Sequence, residues 1–320
     1  FSLVLIIVAI YYTAELVWRE RQVKINEVLD ATPAQNWSFV VAKMLGMLVV
    51  LMGLIGVSML TAVIVQTSQG YTELEIGMYM ERLVLHFGFP FYLMAVLAIF
   101  LQVVSNNKYY GMMLMILYMV STMVMNSLGL EHNLYQFASR PGAPMSDMNG
   151  SGHFREITVW FDYYWTFFSF ILLTLGYLMW NRGTIIGWRG RMRQIRVALG
   201  PISAMLLIVA LSGFVGTGTY IYYNTNVLNQ YQTNDDNNDK LVAFENKFAV
   251  YDGKPQPRIT DVKANVDIYP DTRSFNLEGS YIVENKTDEP ITELHLALTP
   301  TSKLKSMSVE GATLVDGDDW

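Results

Sequence analysis

Hydrophobic positions fall into six long runs before the chain changes to strict alternation. The runs cover about residues 1–17, 39–66, 83–104, 111–129, 162–180 and 198–220. A helix of about 18 residues or more crosses a hydrocarbon core, so these runs predict six transmembrane helices. The second run exceeds one perpendicular crossing and must tilt or begin outside the bilayer. Later, Val262, Ala264, Val266 and Ile268 alternate with Lys263, Asn265 and Asp267, the pattern of a half-buried strand. After a turn at Pro270-Asp271, period 2 resumes through Phe275, Leu277, Gly279, Tyr281 and Val283, then Leu294, Leu296 and Leu298, with Met307 and Val309 opening a further strand. The predicted fold class is an α-helical polytopic membrane protein followed by a partial all-β domain, a meander too short to close a sandwich. The transmembrane domain spans 1–223, a polar linker 224–256, and the β-domain begins at 257 and runs to 320.

Loop charge orients this arrangement. One set of loops carries Arg19, Arg21, Lys24, Lys108, Arg182, Arg189, Arg191, Arg193 and Arg196, while the alternate set carries Arg82, Arg140 and Arg155. Positive residues stay on the cytoplasmic side, so the first set is expected inside and everything after Tyr220 extracytoplasmic. The arginines from 182 to 196 read mainly as a topological anchor, with contact to anionic lipid as an additional role and docking of a partner protein as a third reading. Trp18, Trp37, Trp160, Trp165, Trp180, Trp188, Tyr220, Tyr222 and Tyr223 fall near expected interfaces, where amphipathic rings are favoured. Gly46, Gly53 and Gly56 on the second span, and Ser212, Gly213 and Gly216 on the last, would allow close helix contact.

The mean hydropathy of +0.26 averages two solvents, an apolar first part and an acidic tail that accounts for most of the net charge of −6. No basic surface suggests nucleic acid, and without cysteine there is no disulfide framework or thiolate chemistry. Inside the spans, Glu15 and Lys43 are expected to pair with each other or to reach the headgroups separately, and His86 reads as a packing residue. The loop from Glu131 to Trp160 is dense in turn formers. Its Asp147, His132, His153, Glu156, Met145 and Met148 lack any recognised ligand spacing, so a packed loop is the better account than a metal site. Phe1 inside an apolar run and Trp320 after Asp-Gly-Asp-Asp read as the ends of a fragment.

The stretch Trp18–Lys43 lies between the first two runs. Ile25, Val28 and Leu29 share one helical face, followed by a start signal in which Thr32 is the predicted N-cap, Pro33 the first helical residue and Gln35 the closing member of a capping box. The order Glu20-Arg21, Glu27-Val28-Leu29, Ala31-Thr32-Pro33, Lys43 resembles ABC transporter permeases of the type-2 exporter class. In that family this segment is a cytoplasmic coupling helix that docks on a separate ATP-binding subunit, and the permease units form dimers. The resemblance implies that Glu20, Arg21, Glu27, Leu29, Thr32 and Pro33 couple to an ABC ATPase in trans. The chain departs from the pattern at Gln22-Val23-Lys24, where the family more often has Gly-Thr.

The stretch from Ile259 to Pro300 resembles the opening strands of the N-terminal β-domain of aminopeptidase N-type zinc peptidases, so the chain resembles the junction of a bacterial permease–peptidase fusion. Such a peptidase needs a His-Glu-x-x-His helix, a downstream Glu and a Gly-x-Met-Glu-Asn strand, none of which occurs in this sequence. No catalytic, cofactor or metal residue is therefore expected in this chain, and zinc only with the rest of a peptidase. Nor is there a Gly-x-x-x-x-Gly-Lys-Ser/Thr loop to hold ATP. A membrane anchor for a peptidase and an extracytoplasmic peptide- or polysaccharide-binding module stand as alternative functions.

Overall fold

The apolar runs become helices, and the polar or Gly/Pro-rich stretches between them become their connections. The computed structural model describes residues 1–146, 148–183, 188–272, 274–296, 303–313 and 315, with the backbone alone at Trp188. It divides the chain into two units, Phe1–Thr233 and Asn234–Trp320.

In the first unit α1 (Ser2–Gln22) leads through a five-residue helix, α2 (Asn26–Asp30), to the long α3 (Asn36–Ser68). Next come α4 (Ile76–Tyr79), a π-helical segment Met80–Phe87, α5 (Phe89–Val104) and α6 (Lys108–Ser127). A packed loop then joins α7 (Phe154–Leu178), α8 (Trp188–Ala198) and α9 (Pro201–Tyr222), which ends in a π-helical turn, Tyr223–Val227. Among the described residues, five helical stretches are long and apolar enough to cross a membrane: Ser2–Gln22, Asn36–Ser68, Ile76–Val104, Lys108–Ser127 and Pro201–Val227.

The sixth predicted span differs. Residues 162–180 belong mostly to α7, a helix of 25 residues that is not among those five. Its physical content explains this: α7 carries Arg155, Glu156 and Asp162, and many of its apolar positions are Tyr or Trp rather than aliphatic. It is also enclosed, packing against α5 and α9. Its Thr158, Thr166 and Thr174 hydroxyls each donate to a carbonyl of the preceding turn. A helix shielded by neighbours tolerates polar groups that a lipid-facing helix does not.

Two apolar clusters hold the first unit. Leu5 and Ala9 of α1, Met47, Leu51 and Ile55 of α3, and Phe91, Ala95 and Ile99 of α5 form one. Leu93 and Leu97 of α5, Met115 of α6, and Phe161, Trp165 and Leu172 of α7 form the other, with Phe137 of the loop. Of the expected close-contact glycines, Gly46 has Leu16 at ordinary contact distance, and a methyl on Gly213 would meet the Phe167 ring at 2.5 Å. Gly53, Gly56 and Gly216 have no such neighbour among the described residues.

Pro90 shapes the middle of the bundle. Proline has no N–H, so the His86 carbonyl loses its helical donor, and the Arg140 Nη2 donates to it instead. The other guanidinium nitrogen, Nη1, lies 2.9 Å from both oxygens of Asp162 on α7. This ion pair fixes the 131–153 loop to two helices. The Trp165 indole donates to Ser139 O at 2.8 Å and the Tyr118 hydroxyl to Phe137 O at 3.0 Å, so the first part of the loop is packed, whereas Met145 and Met148 are exposed. His132 is buried there; Asp147 lies outside the described residues.

The second unit departs from its sequence reading at both ends. The expected polar linker carries α10 (Asn234–Phe248) and a short 3-10 turn, Ala249–Tyr251. The β-domain is a hairpin of β1 (Arg258–Tyr269) and β2 (Ser274–Glu284), antiparallel, not a meander among the described residues. Its register pairs Val262 with Tyr281, Ala264 with Gly279, Val266 with Leu277 and Ile268 with Phe275, which gathers the apolar alternation on one face. Leu294, Leu296, Met307 and Val309 lie in extended or irregular chain; Leu298 lies outside the described residues. Side-chain alternation suits a strand, but a strand also needs a neighbour for its N–H and C=O groups, and these segments have no ladder partner among the described residues.

Candidate functional site

The segment expected to couple to a partner sits at one end of the bundle, where α1, α5 and α7 end and α3, α6 and α9 begin. Its geometry starts with the exit from α1. Val23 closes the helix, Lys24 adopts φ 57°, and the Ile25 N–H donates to Glu20 O at 3.0 Å while the Lys24 N–H donates to Arg21 O at 3.2 Å. This pair of bonds is a Schellman ending, built on a left-handed residue that is normally glycine. The chain reverses into α2, whose C-terminus is closed by the Thr32 hydroxyl donating to Leu29 O at 2.6 Å.

Thr32 therefore caps the end of α2 and does not N-cap α3. The N-cap of α3 is Gln35, without a side-chain cap bond, and Pro33 stands outside the helix. Two turn-forming residues and a helix start do not specify which neighbouring helix receives the hydroxyl. Geometry assigned it to the nearer carbonyl.

Glu20 and Arg21 are committed inward. The Glu20 carboxylate accepts from the Lys43 ammonium at 2.8 Å, and Lys43, only 7% exposed, also donates to Leu16 O and sits 5.8 Å from the centre of the Trp180 ring. Neither alternative for Glu15 and Lys43, pairing with each other or reaching out separately, is what the structure has, because Glu15 faces α6 and accepts from Lys108 at 2.7 Å. Arg21 donates to Asn181 O at 2.8 Å and lies 5.1 Å over the Trp18 ring. The Trp18 indole in turn donates to Gln102 Oε1 at 2.9 Å.

Asp30 extends the clamp at the other end of α2. Its Oδ2 accepts from the Gly183 N–H at 2.9 Å, and Arg182 donates to Thr32 O at 3.4 Å while stacking 5.2 Å over Phe39. Phe39 is stacked on Trp180. The turn between α1 and α3 is thus tied to the 180–183 segment by both sequence neighbours of α2.

What remains outward is a small mixed face. Glu27 and Pro33 are exposed, Leu29 is half-buried, and Ile25 and Val28 are 52% and 69% exposed with Val23 beside them. Of the six residues expected to meet a partner, Glu20 and Arg21 hold the segment, Thr32 ends its helix, and Glu27, Leu29 and Pro33 remain on or near its open side. Val28 was readable as a helix-face residue but its outward direction was not.

Arg191 on α8 was hidden in the arginine cluster. It is 2% exposed, and its guanidinium donates to Val103 O at 2.7 Å, Val104 O, Ser105 O at 3.1 Å and Asn106 Oδ1 at 3.2 Å. Three of these oxygens are backbone carbonyls at the C-terminal end of α5, where a cation is favoured by the helix dipole, and the fourth is the Asn106 side chain just beyond it. Burial, and secondarily the like charge of Arg21, push its pKa below the usual arginine value. A sequence signal existed: Arg191, Gln194, Ile195 and Ala198 share one helical face, and Gln194 also donates inward, to Trp180 O at 2.6 Å.

Glu20, Arg21 and Asp30 are each engaged in an ion pair or hydrogen bond within the bundle. The short helix and the end of α1 before it form a mechanical face, braced against α3, α5 and the 180–183 segment. Compared with known protein families, curated proteins and solved structures, the chain matches none.

Proposed function

We propose that this chain is the membrane-spanning permease subunit of an ABC-type transporter, and that α2 is its docking point for a separate ATPase. The observation that carries this reading is the bracing of α2: Glu20, Arg21 and Asp30 are spent on the bundle, while Glu27, Ile25 and Val28 stay open. A partner that pushes on such a helix moves α3, α5 and the 180–183 segment with it. In this reading α7 is the sixth span, shielded by α5 and α9, and the basic end of the bundle faces the cytoplasm. The second unit is then periplasmic, an aminopeptidase-like module attached to a permease of the inner membrane, and zinc belongs only to a complete peptidase. Two permease units form the transporter.

The test is co-purification. Membranes expressing the chain are solubilised and the P-loop ATPases retained are identified by mass spectrometry. Glu27→Lys and Val28→Asp, both on the exposed face, are expected to release the ATPase without lowering the yield of the permease. Retention of the same ATPase by both variants would overturn the reading.

A further inference from the structure

The five arginines of the 182–196 stretch divide into two jobs. Arg182 and Arg191 bond inward, to Thr32 O and to the α5 terminus. Arg189, Arg193 and Arg196 are exposed on α8. At about 100° per residue they fall on one face, opposite the one that buries Arg191, Gln194 and Ile195. Met192 and Val197 flank them, 39% and 81% exposed. Beyond Val197, Leu199 is 45% exposed and Ile202 of α9 is 77% exposed.

We infer that the outward face of α8 binds the headgroups of anionic phospholipid in the cytoplasmic leaflet. The occupant follows from charge and position. Three guanidiniums separated by about two helical turns span roughly 10 Å, so they face more than one headgroup. No acidic side chain lies on α8 to neutralise them. Val197, Leu199 and Ile202 are exposed where α8 leads into α9, a helix long and apolar enough to cross a membrane, which sets this flank at the bilayer boundary. A basic face with apolar residues at its margin is the pattern of a helix lying in the interface. Arg191 and Gln194 prevent α8 from rolling, so the three arginines present a fixed rather than a floating charge cluster. The α8 inference rests on the membrane reading above and deepens it by naming the lipid class.

The experiment uses the full chain reconstituted in bilayers of phosphatidylcholine with a minor fraction of phosphatidylglycerol, with spin-labelled versions of each lipid as probes. The wild type is expected to immobilise the phosphatidylglycerol label more than the phosphatidylcholine label. Each arginine replaced is expected to lower that preference about fivefold at low salt, so R189Q/R193Q/R196Q removes it. Raising salt is expected to shrink the wild-type preference toward that of the triple variant. Arg19→Gln, an exposed arginine at the same end of the bundle but on α1, controls for overall charge and is expected to keep the preference. A triple variant that keeps the preference, or a control that loses it equally, overturns the inference. A triple variant that keeps the preference but no longer retains an ATPase assigns the face to a protein partner instead. A wild type that fails to enter bilayers overturns the membrane reading itself, whereas one that enters without preference overturns only the lipid site.

Discussion

Replacing Arg191 by methionine keeps much of its length and removes every donor. Four oxygens at the end of α5 then lose their partner. Two of those bonds, to Val103 O and Ser105 O, are fully buried, and the others reach partly exposed oxygens that water can serve. An orphaned buried carbonyl costs about 1–3 kcal/mol, so two at the lower half of that range give a loss of about 3 kcal/mol. Against a total stability of roughly 5–15 kcal/mol, that is a large share. Arg191→Lys keeps the charge at the helix terminus but offers one nitrogen instead of a planar fork, so about half the loss is expected. The chain has no cysteine, which allows a background-free reporter. Ile195→Cys, on the docked face of α8, is expected to react slowly with a maleimide when Arg191 is present. Reaction should quicken in the order Arg, Lys, Met, in step with falling thermal unfolding temperature in detergent. Equal labelling rates for Arg and Met, with equal unfolding temperatures, would refute the idea that Arg191 fastens α8 to α5.

Lys24→Gly removes the cost of a side chain at φ 57° and is expected to raise stability by about 0.5–1 kcal/mol, read as a higher unfolding temperature, while Lys24→Val lowers it. His132 supplies a pH dependence. Its Nδ1 accepts from the Leu134 N–H at 3.1 Å, so the ring is neutral with its proton on Nε2, which lies 3.1 Å from the Thr225 hydroxyl. Burial lowers its pKa below the ordinary 6.5. The unfolded chain therefore binds the proton more readily than the folded one, and the His132 contribution is complete above pH 6.5 and is lost as pH falls through the lowered folded value. Unfolding temperature is expected to drop between pH 7.5 and 5.5 in the wild type, and by less in His132→Gln; equal drops would exclude His132 as the source.

Much of the first unit was legible because a run of apolar residues needs no tertiary information to become a helix. The two strands of the hairpin were legible for the same reason at period 2, but the register that sets Val266 opposite Leu277 and Ile268 opposite Phe275 was not. Pairings across the bundle were not. Glu15 and Lys43 are both charges near the same end, and only the placement of α6 beside α1 decides that Glu15 meets Lys108 and leaves Lys43 to Glu20. Five arginines in one stretch look alike until one face of α8 is buried. The hydrophilic content of α7 was likewise diluted by its aromatic residues, whose rings read as apolar although Tyr163, Tyr164 and Tyr177 each carry a hydroxyl.

The Arg191 contact also has a history in the making of the chain. Its acceptor Val103 precedes it by 88 residues, and Arg21 waits 160 residues for the Asn181 carbonyl. At about 5–20 residues per second, a ribosome takes roughly 4–18 s to pass from the end of α5 to Arg191. For that interval the helix end has only water or lipid headgroups for its carbonyls, and the α1–α3 turn has no 180–183 segment to grip. The apolar cluster of α1, α3 and α5 is already encoded by then, and this end of the bundle is locked only when the arginine-rich loop emerges.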